Sequence, residues 1–182
     1  MSLNISDPNK FLSNSQLQAM KEVADIVFCE REKTNKKINV KIVCNTEMQE
    51  LNKTFRNKDK NTNVLAFVND DESREQTQEF GDIAICYPYL EKEAASQGKS
   101  INDHISHMLI HGILHIFGHD HTKTTQRKDM EKEEIRILKK TKNRRSLFNM
   151  NKIIKNKEDA PSSFYQRFRA FVRNILFIKP KN

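Results

Sequence analysis

Cysteine is scarce and scattered in this 182-residue chain. Cys29, Cys44 and Cys86 are odd in number and never form a CxxC pair. That argues against a disulfide framework and a thiolate metal site. Each sits in an apolar run, where it reads as a small core hydrophobe in a reducing compartment. Long apolar runs are missing as well: none approaches the roughly 20 residues that span a bilayer. Nor does a basic segment followed by an apolar one open the chain, so no secretory signal is expected. The cytoplasm is the expected location. Histidine is also rare, with six residues, yet all six fall between His104 and His121.

The net charge of +8 belongs to one end. Residues 139–182 hold 13 Lys or Arg against Glu158 and Asp159, a net of +11, which leaves −3 for the rest. A basic tail on a mildly acidic body suggests a polyanionic partner, nucleic acid or membrane surface. Two domains are expected, 1–141 and a basic extension 142–182. In the extension, Phe164, Phe168, Phe171, Ile175 and Ile178 form one apolar stripe, a possible contact for a membrane or a protein.

Periodicity gives the elements. A helix is expected over 16–31 from Leu17, Met20, Ala24 and Val27. Ile38, Val40, Ile42 and Cys44 alternate as in a strand. Met48, Leu51 and Phe55 return to helical spacing, with Thr46 as a candidate N-cap. Residues 63–68 and 80–87 read as strands, and the polar stretch 69–79 between them as a loop. Pro88 opens a helix that Gly98 closes. Ser100 or Asn102 caps a longer one running to Phe117, and a last helix covers 124–140. The pattern predicts an α+β fold with a small mixed sheet of at least three strands.

At 100° and 1.5 Å per residue, His104, His107, His111 and His115 form one helical stripe, but it climbs about 16 Å, too far for one ion. His111 and His115 are one turn apart and can share a metal. Gly118 can end the helix in the left-handed conformation and bring His121 round as a third ligand. Three nitrogens and no thiolate favour a site with an open position. Asp120 can orient a ligand histidine. His104 and His107 read as ordinary structural histidines, and His119 has no assigned role.

The stretch HGILHIFGHDH has the spacing HExxHxxGxxH of zincin proteases, with Gly112 where those enzymes carry a glutamate base. In this form, HGxLHxxGxDH, it resembles the YbeY family of bacterial endoribonucleases. LNKTFRNKDKNTNVLAF (51–67) and FGDIAI (80–85) are similar to two further motifs of that family, with Ala66 where the family usually has serine. The resemblance covers about residues 38–140. It implies a zincin-like fold with a central metal-binding helix and one Zn2+ held by His111, His115 and His121. It implies hydrolysis of single-stranded RNA in ribosomal RNA maturation, at the 16S 3′ end, and in ribosome quality control. The catalytic set would be Arg56, His111, His115 and His121, with Arg56 offering its planar fork to phosphate. Partners would be ribosomal RNA, the small ribosomal subunit and a ribosome-associated GTPase. The smooth backbone at Gly112 would let a bulky strand approach the metal. The alternatives are a ribosome assembly factor with a structural metal and a zincin-type protease.

Overall fold

A computed structural model describes residues 1–30, 37–119 and 124–155. Contacts divide the chain into two compact units, 1–142 and 143–182. The first is an α+β body around a four-stranded sheet in the order β1-β2-β4-β3. The strands are β1 (Ser2–Ser6), β2 (Lys37–Val43), β3 (Val64–Val68) and β4 (Glu79–Cys86). β1 and β4 both run parallel to β2, and β3 pairs antiparallel with β4, so the sheet is mixed. In the second unit the helix backbone is described as far as residue 155 and the side chains only as far as 144; the proposed apolar stripe lies outside the described residues.

The helices are α1 (Asn14–Cys29), α2 (Asn45–Arg56), α3 (Asp71–Thr77), α4 (Tyr87–Ser96), α5 (Ile101–Ile116) and α6 (Thr124–Lys155). α5 is the apolar centre: Ile105, Leu109, Ile110, Ile113 and Leu114 are all buried in it. It packs against α1, α4, β3 and β4. α1 begins two residues earlier than expected because Ser13 and Gln16 form a reciprocal capping box.

Several expectations need correcting. β1 is an additional strand whose five residues are too few for a periodic signal; its pairing with β2 lies across α1. Leu3 and Ile5 turn toward the core. The expected loop 69–79 contains α3. Polar all round, it shows no period, yet Asp71 and Glu72 occupy its first turn and Arg74 its last, matching the helix dipole. Cys44, not Thr46, is the N-cap of α2, and no side chain caps it. Of the cysteines only Cys86 is buried. Cys29 is exposed at the last position of α1, and Cys44 is half-buried.

Glu30, just past α1, binds Arg136 and Lys140 of α6. Hydrogen bonds from Arg136 and then Lys140 hold its carboxyl down to about 2. A depressed folded-state pKa contributes stability above the ordinary carboxylate range and loses it as pH falls toward 2. Glu30→Gln should therefore flatten the acid limb of a Tm-against-pH curve between about pH 4.5 and 2. It should leave the neutral-to-basic side parallel to wild type.

Candidate functional site

α5 carries four of the six histidines, and the fold sends them to different neighbours. His104 is 3% exposed, and its Nε2 lies 2.7 Å from Glu93 Oε2 on α4. The same carboxylate oxygen accepts from Asn63 Nδ2 at 3.2 Å. Asn63 also receives the Val64 N–H on its Oδ1 and the Cys86 N–H on its backbone carbonyl. His104 thus belongs to a chain that anchors the start of β3.

His107 and His111 converge instead on Glu134 of α6. His107 Nε2 is 3.0 Å from Oε2, and His111 Nδ1 is 2.7 Å from Oε1. Glu134 is only 8% exposed. Burial alone would raise its carboxyl, but hydrogen bonds and charge from His107 and His111 outweigh that and hold it at about 2. A carboxylate can only accept, so His111 carries a hydrogen on Nδ1, which in the neutral imidazole leaves the lone pair on Nε2. That Nε2 stands 3.1 Å from His115 Nε2. Two nitrogens bound to one zinc at about 2.05 Å in tetrahedral geometry lie about 3.3 Å apart, so the separation of the pair is close to that of two such positions.

Helix α5 ends as Gly118 was expected to end it. Gly118 has φ +84°; its N–H donates to His115 O at 2.9 Å, and His119 N–H donates to Leu114 O at 3.0 Å. This is a Schellman closure, which reverses the chain beyond the last turn. His121 and Asp120 lie outside the described residues. Among the described residues no three His, Cys, Asp or Glu side chains converge as a metal site.

Gly112 also has a packing role that the sequence did not announce. A Cβ there would meet Ile83 Cγ2 of β4 at 3.0 Å and Cδ1 at 3.1 Å. Its bareness therefore serves the close packing of α5 on the sheet.

His111, Gly112, His115, Gly118 and His119 share a cleft of about 700 Å³ with Phe55, Arg56 and the whole run from Thr62 to Val68. β3 is an edge strand, and its length forms one wall of the cleft. Arg56 ends α2, exposed, with no hydrogen bond or ion pair among the described residues. Asn57 closes the helix at φ 55°, and buried Asn52 donates Nδ2 to Lys60 O at 2.6 Å, pinning the loop that follows. On the other flank of His111 lies a second hollow of about 470 Å³, lined by Arg127, Met130, Glu131 and Glu134 among others.

Three of the expected site residues, Arg56, His111 and His115, thus line one cleft. The match to known sequences follows the same part of the chain: the family described as endoribonuclease YbeY aligns with residues 4–142. The chain belongs to the YbeY family. It is 38% identical over 129 residues to endoribonuclease YbeY of Ruthia magnifica subsp. Calyptogena magnifica, covering 71% of this chain and 83% of that one. The Colwellia psychrerythraea relative of the same name is 35% identical over 133 residues, covering 73% and 86%. A Francisella tularensis subsp. holarctica relative is 44% identical over 108 residues, 56% of this chain and 65% of its own. The solution structure of TM1509 from Thermotoga maritima superposes with a TM-score of 0.58 at 28% identity, covering 79% of this chain and 92% of that one. These YbeY relatives are named as endoribonucleases, hydrolases acting on RNA.

Sequence reasoning missed two residues around this YbeY-type site, Glu134 and Asn52. Met130, Glu134, Ile137 and Thr141 are all buried on α6, at helical spacing. An acid in the middle of a buried stripe was the available signal for Glu134. Asn52 carried a comparable one, a polar residue between Met48 and Phe55 on α2.

Proposed function

We propose that this chain is a zinc-dependent, single-strand-specific endoribonuclease of ribosomal RNA maturation, acting at the 16S 3′ end and in ribosome quality control. The observation that carries this reading is the pair of imidazole nitrogens of His111 and His115, 3.1 Å apart in the cleft that also holds Arg56. His121 would complete the ligand set beyond the Gly118 turn, in a zincin-like arrangement around α5. Bound zinc supplies a water whose pKa falls to near 7 and a Lewis acid for a phosphoryl oxygen, so no glutamate base is required at Gly112. The chain's own residues do the rest. Glu134 fixes the His111 tautomer so that Nε2 faces the cleft. Arg56 presents a planar guanidinium to a phosphate of the strand. β3 lines the cleft beside the strand.

The reading extends to the partners: ribosomal RNA, the small ribosomal subunit and a ribosome-associated GTPase, in the cytoplasm. The division into a nuclease domain, 1–141, and a basic extension, 142–182, assigns the extension to polyanion contact, with a membrane surface as the other possible target. No helix of the described residues is long and apolar enough to cross a membrane.

The direct test is cleavage of a ribosomal RNA precursor by purified, zinc-loaded protein, with Arg56→Ala beside it. Because Arg56 is exposed and unpaired among the described residues, the variant should keep its Tm and its zinc. Loss of one charged hydrogen-bonding partner at a phosphate predicts a drop in kcat/KM of roughly 10- to 100-fold. An Arg56→Ala protein that unfolds, or that cleaves at the wild-type rate, would remove Arg56 from the site.

A further inference from the structure

We infer that Phe55, braced by Phe67, is a stacking platform for one unpaired base of the RNA strand and makes the cleft selective for single strands. This rests on the endoribonuclease reading of the cleft and names how the substrate is held. Phe55 is 62% exposed, more than any other large hydrophobic among the described residues. An aromatic ring left in water forgoes about 25 cal/mol for each Å² it does not bury, so it contributes little to folding where it stands. Yet the ring is held in place. Its centroid is 4.9 Å from that of Phe67 at an interplanar angle of 63°, an edge-to-face contact that braces it without covering it. Both rings line the cleft that holds His111 and His115.

The surroundings identify the occupant. Residues 53–60, KTFRNKDK, set Lys53, Arg56, Lys58 and Lys60 against Asp59 alone. Asp59 is taken up by Lys53 at 2.8 Å and by Gln49 at 2.9 Å. The segment is rigid: Asn57 N–H donates to Lys53 O, Lys58 N–H to Asn52 O, and Asn52 Nδ2 to Lys60 O. A fixed flat apolar face directly before an exposed guanidinium, on a basic rim, matches a nucleotide, with its flat base and anionic phosphate. A lipid surface or an apolar peptide would use the ring but not this neighbouring charge. Stacking tolerates any base, since each has a π-face, but it requires that face to be free. In an A-form duplex the base faces are covered by their neighbours, so only an unpaired base can reach the ring.

The chain contains no tryptophan, which makes the test clean. Phe55→Trp introduces the only indole, and its emission should be quenched on titration of the zinc-loaded protein with a short single-stranded RNA. A duplex of the same composition should leave it unchanged. Phe55→Ala and Phe55→Leu should both raise KM for single-stranded RNA roughly 5- to 100-fold, with kcat and Tm near wild type; Phe55→Tyr should restore KM. Leucine keeps the apolar bulk and lacks the π-face. A Phe55→Leu protein with wild-type KM therefore overturns stacking and points to an apolar protein contact. Equal quenching by duplex and single strand overturns the strand selectivity. If wild-type protein cleaves RNA while Phe55→Ala keeps its KM, the platform fails and the endoribonuclease reading stands. If wild-type protein cleaves no RNA, the endoribonuclease reading itself has failed.

Discussion

Replacing His115 with alanine should take zinc from one ion per chain to background and RNA cleavage down by roughly three decades or more. The reason is geometric. His115 Nε2 and His111 Nε2 stand 3.1 Å apart, and removing either leaves one imidazole where two were poised to share an ion. The Tm should change little in the presence of chelator, because His115 is only half-buried on α5. His104→Ala is the informative control. His104 lies on the same helix but faces Glu93, so zinc content should stay at one per chain. Its stability should fall by about 1–3 kcal/mol, the cost of removing a buried side chain and of leaving half-buried Glu93 with Asn63 but without His104. Elemental analysis of the two purified variants decides the matter. Full zinc in His115→Ala, or its loss in His104→Ala, would mean that the site lies elsewhere on the helix.

Glu134→Gln should weaken zinc binding roughly 10- to 100-fold, the usual effect of losing a carboxylate behind a metal-bound histidine. Glu134 reaches His111 and His107 with its two oxygens, 2.7 and 3.0 Å away. Glutamine keeps the shape but presents one acceptor and one donor, so one of the two histidines loses its acceptor, and both lose the charge. Chelator competition measures the affinity. The 15N shifts of His111 distinguish orientation from mere folding: wild type should show the hydrogen on Nδ1, and the variant a mixture of tautomers. Glu131→Gln, which alters an acid lining the same hollow, should leave both readouts unchanged. Identical zinc affinity in wild type and Glu134→Gln would show that the carboxylate serves packing alone.

The local elements of this protein follow from short-range pattern. Ile38, Val40 and Ile42 alternate and form β2. Ile105, Leu109 and Ile113 recur at helical spacing and bury one side of α5, and Gly118 ends that helix in the left-handed conformation. The histidine spacing likewise announced that His111 and His115 would meet, because a turn of helix is a local quantity. Other features have no local signature. β1 exists because its five residues pair with β2 across the whole of α1, and α3, polar throughout, packs against β4, with Arg74 over the Phe80 ring. The tight fit at Gly112 is set by Ile83, on a strand nearly thirty residues away. Tertiary structure alone turned His104 toward Glu93 and His111 toward Glu134, although all four α5 histidines share one stripe. A helix face sets which way a side chain leaves the axis, and the neighbouring helix sets what it finds there. The placement of Arg56 and Phe55 beside the histidine pair is decided in the same way, since α2 and α5 line one cleft only after both have packed against the sheet.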